Sequence, residues 1–337
     1  MPTYRPPMFP RVALGDTSPT ALRAAQSRAT TGFTAVRASH GALALVPPAA
    51  DPFAHQVSTH LATAFAASKR TSAFHALSRE TAALCHGIDI YGQPPRPALT
   101  SPHHLGARSS RDYVRHCEPL PPEDVILLDR IPCTTLERTA VDCARYLPPL
   151  RGLVIAGQVL RALTLATRFT REVSEPAVER VRRELIARVA ALPAGARGAR
   201  RALTVIEHAS AWTESPPEVA LLRLILVWGR RDVVAQQLVV ANGRRYFTDL
   251  ALPDGLRPDG SPRWVHIEYD GELKYGHGTQ SVQVLLEERD RERAILALGD
   301  SMVRVTSTSL RSPEGVIADI SSALIAPARL RPVTGLR

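Results

Sequence analysis

The chain has 337 residues, 45% of them hydrophobic, which is enough for two domains with apolar cores and excludes a disordered chain. Its formal charge of +10 and isoelectric point near 10.1 fit a polyanionic partner. Apolar runs are short and broken by arginine, so no membrane span is expected; Cys85, Cys117, Cys133 and Cys143 lack paired spacing, which fits reduced thiols in a cytoplasmic protein rather than a disulfide framework or a zinc site.

Residues 1–17 carry Pro2, Pro6, Pro7 and Pro10 and read as a flexible leader. Ser18 as N-cap and Pro19 in the first turn open a helix through about Arg28, closed by Gly32. The stretch from Phe33 to Val46, broken at Gly41, predicts a two-stranded ribbon. Helix and ribbon together look like the last part of a winged helix. Helices are predicted over Phe53 to Ala67 and Ala73 to Cys85, the second capped by Thr71 or Ser72 and closed by Gly87.

Short strands are expected near Pro97 to Thr100, Tyr113 to His116 and Val125 to Leu128. His103 and His104 lie in a polar loop and read as solvated. Thr134 and Glu137, three residues apart, form a capping box for a helix to about Tyr146. From Arg151 to Ser210 the pattern is a helical connector, with Val178, Val181, Leu185, Ile186 and Val189 on one face and arginines on the other.

The final third changes character. Ser215, Pro216, Pro217 and Glu218 open an apolar helix to about Trp228, where a first-turn carboxylate suits the helix dipole. Val233 to Val240, the turn Asn242-Gly243 and Tyr246 to Leu252 form a hairpin that places Asp249 in a strand. In the next strand, Val265, Ile267 and Tyr269 share one face, and His266, Glu268 and Asp270 the other. If that strand pairs beside Asp249, the carboxylates of Asp249, Glu268 and Asp270 converge on one divalent ion. An oxygen-only set suits magnesium, with manganese as the alternative, and phosphodiester hydrolysis.

Nearly all the positive charge is arginine; only Lys69 and Lys274 are lysines, which makes Lys274, or else Arg289, the candidate built-in cation for this cluster. Arg289 and Arg293, four apart on a helix from Val282 to about Leu298, are candidates to meet phosphate, as is His266. A strand from Met302 to Thr306 and a helix from Pro313 to Leu324 follow, and Arg329 and Arg331 fall in a mobile tail.

On Ser215-Pro216-Pro217-Glu218, Thr248-Asp249, Ile267 to Gly271, Arg289-Asp290-Arg291 and Gly299 to Val305, the segment from Ser215 to Leu324 resembles the very-short-patch-repair-like endonuclease domains of the PD-(D/E)XK, restriction-endonuclease-like superfamily. The resemblance implies an αβββαβ core, magnesium, a DNA substrate, Asp249 and Glu268 as metal ligands, and Glu218 and Asp270 as further acidic groups. The superfamily lysine two residues after the strand glutamate is replaced here by Asp270. Either Lys274 takes its role from the following turn, or Asp270 serves a second metal.

Ser18 to Tyr146 resembles the N-terminal part of actinobacterial proteins related to AbiEi-type antitoxins. The matching pieces are the first helix and ribbon, the Ala73 to Gly87 helix, Leu120 to Val125, and Ile131 to Thr139. That implies a winged-helix module, here partial, and a toxin or defence-system partner. The expectation is a mixed α/β (α+β) protein with a mainly helical N-terminal half: leader 1–17, antitoxin-like region 18–148, connector 149–212, nuclease-like domain 213–326 and tail 327–337. A catalytically inactive DNA-binding regulator on the same fold is the alternative to a nuclease.

Overall fold

The structure, a computed structural model, describes residues 9–29, 32–49, 51–103, 111–271, 282–325 and 330–337, with backbone alone for 282–286. The class is mixed α/β, as expected. The chain divides into two compact units, Met1–Val159 with Arg183–Ile206, and Leu160–Arg182 with Glu207–Arg337.

The first unit begins with β1 (Arg11–Leu14), α1 (Pro19–Ser27), β2 (Thr34–Ser39), β3 (Ala42–Val46) and α2 (Pro52–Lys69). Part of the expected leader is therefore a strand: β1 pairs antiparallel with β3, in a sheet ordered β1-β3-β2. Val12 packs against Ala38, Ala42, Ala44, Val46, Ala62 and Ala66, so a segment of only four residues is held by a partner thirty positions away. Ser18 caps α1 as predicted, accepting from the Ala21 amide at 3.1 Å.

Next come β4 (Ala76–Leu77), α3 (Arg79–Cys85), β5 (Ala98–Ser101), β6 (Val114–Cys117), β7 (Val125–Leu128), β8 (Ile131–Thr134) and α4 (Leu136–Tyr146), with the strands ordered β6-β5-β4-β8-β7. The run from Ala73 is not one helix. Ala76 and Leu77 are fully buried and pair with Thr100 and Leu99, so tertiary pairing overrides alanine's helix propensity, and Ser78 rather than Thr71 or Ser72 stands at the N-cap. The predicted capping box moves by one residue: Thr135 accepts from the Arg138 amide at 3.3 Å, while Thr134 ends β8 and its hydroxyl meets that of Thr139 at 2.7 Å. Helices α5 (Pro149–Thr164), α6 (Arg171–Ala190) and α7 (Ala199–His208) follow, and the bounds of the two units fall within them.

The second unit shows the predicted order of helix, three strands, helix, strand, helix: α8 (Pro216–Trp228), β9 (Val234–Ala241), β10 (Arg244–Leu256), β11 (Pro262–Asp270), α9 (Val282–Leu296), β12 (Ser301–Thr306) and α10 (Pro313–Ala323). The sheet is ordered β12-β11-β10-β9; β11 and β12 are parallel, and the other pairs antiparallel. Asn242 and Gly243, with φ of 51° and 72°, form the tight turn that the dipeptide predicts. Leu250, Leu252, Val265 and Ile267 are fully buried and build the core under α8.

The described C-terminal residues do not form a mobile tail. The Arg331 amide donates to the Gly229 carbonyl at 2.8 Å and the Val333 amide to Leu226 at 3.1 Å, while Val333 and Leu336 are buried. Gly229 has φ of 123°, and a Cβ there would meet the Arg331 nitrogen at 2.8 Å, so both conformation and close approach require glycine. Among the described residues, no helix is long and apolar enough to cross a membrane.

Candidate functional site

Glu218 stands in the first turn of α8, where Ser215 is the N-cap. The Ser215 hydroxyl accepts from the Glu218 amide at 3.4 Å and donates to Glu218 Oε1 at 2.7 Å, while Oε2 accepts from the Glu214 amide at 2.7 Å. This is a reciprocal cap of the kind a first-turn carboxylate makes. Gln236 adds a donor at 3.4 Å. It is a buried residue with φ of 49°, where the β9–β10 register passes from Gln237 to Ala235, so the strand is distorted at the side chain that reaches Glu218. Burial and the nearby Asp249 charge push the Glu218 carboxyl up from 4.5 to about 7.

Asp249 lies on β10 next to Leu250, whose partner on β11 is Ile267. Its Oδ2 accepts from the Tyr269 amide at 2.8 Å, tying the two strands together through a side chain. Glu268, on β11, is 8% exposed. Burial raises its carboxyl above the ordinary value, Arg291 pulls it down, and Asp249 raises it again. Asp249 is thus the common electrostatic neighbour of Glu218 and Glu268, and the three residues come from three different elements.

The cation on Glu268 is Arg291. Its Nη2 donates to Glu268 Oε1 and, at 2.8 Å, to the Phe247 carbonyl of β10. The predicted pair Arg289 and Arg293 faces away: Arg289 is exposed, and the Arg293 side chain is 79% exposed and lies 3.8 Å from Asp290. Among the described side chains of α9, Ala294 and Ile295 are buried, which puts Arg291, three and four residues earlier, on the sheet side. Lys274 and His104 lie outside the described residues.

Asp270 does not complete the cluster in the expected way. It lies 3.6 Å from Arg304 of β12, which also holds Glu288 at 3.0 Å and Glu292 at 3.1 Å. Burial alone would depress Arg304, but Glu288, Glu292 and Glu268 hold it well above its ordinary value. Asp270 therefore shares Arg304 with Glu288 and Glu292, and Arg304 also acts on Glu268, while Glu218 is the further acid beside Asp249.

His266 is fully buried, which removes it as a contact for nucleic acid. Its ring meets the Thr248 hydroxyl at 2.9 Å and Asp300 at 3.1 Å. Asp300 also accepts from Arg257 at 2.5 and 3.1 Å and from the Trp264 amide at 3.0 Å; against burial, these donors lower its carboxyl. The network ties β10, β11 and the residue before β12 together. Sequence reasoning missed Gln236 and gave no role to Arg291, Asp300 and Arg304, although these three lie in the motifs that carry the resemblance; for Arg291 the signal was the helical phase of Ala294 and Ile295.

Chemically, Glu218, Asp249 and Glu268 are hard oxygen donors whose mutual repulsion favours a cation. The donor chemistry fits magnesium or manganese. Among the described residues, however, no group of three or more His, Cys, Asp or Glu is already arranged to hold a metal, and Arg291 supplies the positive charge at Glu268. Comparisons with protein-family models, with curated proteins and with solved structures find no match to this chain.

Proposed function

We propose that the unit built from Leu160–Arg182 and Glu207–Arg337 is a metal-dependent nuclease acting on DNA. The observation that carries this reading is that Asp249, its carboxylate held by the Tyr269 amide next to Glu268, lies within electrostatic reach of both Glu218 and Glu268, so that carboxylates from α8, β10 and β11 raise one another's affinity for positive charge. The αβββαβ order and the chain's charge of +10 support it.

Asp249 and Glu268 are the residues that would hold Mg2+ or Mn2+, an ion that when bound polarises phosphoryl oxygen and acidifies attached water. Glu218, its carboxyl near neutrality, is the member of the cluster suited to exchange a proton. Arg291, between Glu268 and the Phe247 carbonyl, stands where a phosphate's charge would be met and supplies the cation that Asp270 cannot.

The test is nicking of supercoiled plasmid, and cutting of mismatched or branched duplexes, with magnesium, manganese or chelator. Metal-dependent cutting that disappears in both Asp249→Ala and Glu268→Ala supports the nuclease. A second reading, favoured by the Arg291–Glu268 ion pair that neutralises one proposed ligand, is a catalytically silent DNA-binding or antitoxin-like regulator. No cutting under any ion, with salt-sensitive DNA binding retained, selects that reading.

A further inference from the structure

Beside the acidic cluster the second unit carries a groove of about 530 Å³ lined by Arg168, Phe169, Arg245, Tyr246, Phe247 and Arg291. Three arginines and three aromatic rings in one depression are neither a hydrophobic core nor an ordinary solvated face. Phe169 is 69% exposed, which an isolated ring gains nothing from in water. Its ring meets Phe247 edge-on at 5.3 Å, and the Arg168 guanidinium lies 5.1 Å from the centroid of Phe169 and 5.5 Å from that of Phe247. Arg168 is steadied by Glu214 at 3.1 Å. Arg291 joins this groove to Glu268, the residue that it holds on the other side.

We propose that this groove binds single-stranded nucleic acid, with an unpaired base stacked on Phe169 and the Arg168 plane, and with flanking phosphates met by Arg245 and Arg291. Planar rings and guanidinium planes gain from stacking on any base, while arginines track the backbone. In a duplex both faces of every base are already covered, so only the phosphate contacts remain. The volume is of the size of small-ligand sites, roughly 300–1,000 Å³, and so takes a nucleotide rather than a double helix. The substrate class this implies is a single strand, a flap or a base displaced from its stack, delivered beside Glu268. The inference takes its polymer from the nuclease reading but does not depend on the metal.

The experiment measures anisotropy of a short labelled oligothymidine and of a duplex of equal length, both in EDTA so that nothing is cut. Phe169→Ala, at an exposed position, is expected to weaken the single strand about tenfold while changing the duplex less than about twofold, and Phe169→Tyr to restore binding. Arg245→Ala should reduce the salt slope by about one on either substrate. Equal losses on both substrates, no loss in Phe169→Ala, or wild type that ignores oligothymidine each overturn the groove. Tight single-strand binding without cutting in magnesium or manganese leaves the groove standing and sinks the nuclease.

Discussion

Two buried glutamates, one in each unit, have similarly raised carboxyls but neighbours of opposite charge. Glu80 in α3 and Glu218 in α8 are 3% and 7% exposed, and burial pushes both up to about 7. Around Glu80 the next influences are Arg151, at 2.6 Å, and Arg79, which pull the value down. Around Glu218 the next influence is Asp249, which pushes it further up. A fold that needs a buried acid supplies a guanidinium, as the first unit does. A fold that sets a second acid beside the first accepts a cost in stability, and such placement marks a site awaiting a positive ligand. Burial alone does not separate the two; the sign of the neighbour does.

The largest expected effect comes from removing that neighbour. Asp249→Asn should lower metal-dependent cutting by at least about a hundredfold, near 3 kcal/mol of barrier, while the Glu218 carboxyl falls but stays raised by burial. The variant should also melt higher than wild type above pH 7. Cutting that survives the substitution would remove Asp249 from the chemistry and leave both glutamates as structural acids.

Arg151→Leu probes the compensated site. Breaking a fully buried pair costs about 3–5 kcal/mol; Arg151 is 24% exposed, so about 2 kcal/mol is expected at pH 8. The sign follows from proton binding. Glu80 is raised on folding, so its contribution is greatest below 4.5 and is lost as pH rises through about 7. Without Arg151 the folded value rises further and the loss extends to higher pH. Denaturant melts at pH 5 and pH 8 should therefore differ more in the variant than in wild type; an identical difference would mean that Arg151 does not stabilise the Glu80 charge.

Glu218→Gln is the mirror experiment. The amide oxygen can accept from Glu214 and its nitrogen can donate to Ser215, so the cap survives while the charge beside Asp249 goes. Folded Glu218 is also raised, so wild type loses stability as pH rises from 4.5 through about 7, and the variant should not. A gain of about 1 kcal/mol at pH 8 and none at pH 5 is expected. A loss at pH 8 would place Glu218 with Glu80 as an acid the fold depends on.

The second unit was the more legible half because its signals are local. Asn242-Gly243 fixes a hairpin, Ser215 with Pro216 and Glu218 fixes a helix start, and alternation along Val265 to Asp270 fixes a strand. In the first unit, β1, β4 and β8 are short, and β4 is cut from an alanine-rich run while β8 contains Pro132, so only distant pairing makes them strands. At the site, Asp249 and Glu268 could be read from alternation. Whether Asp270 faced the cluster could not, since Arg304 arrives from a strand thirty residues on.

Arg291 sharpens the comparison last, because its guanidinium is paired with Glu268 of this cluster as Arg151 is with Glu80 in the first unit. Its side chain is 27% exposed against 11% for Glu268, so solvent weakens the pair and Arg291→Met should cost only about 0.5–1 kcal/mol. Glu268 is raised already, and losing Arg291 raises it further, so the cost should appear at pH 8 and fade toward pH 5. The informative readout is the melting shift produced by magnesium. If Arg291 merely fills a cation site, its removal leaves Glu268 to the ion and the shift grows, with cutting retained. If Arg291 meets the phosphate, the shift grows and cutting falls. If the shift is absent in wild type and variant alike, Arg291 and Glu268 are a structural pair like Arg151 and Glu80, and the two units differ less than Asp249 implies.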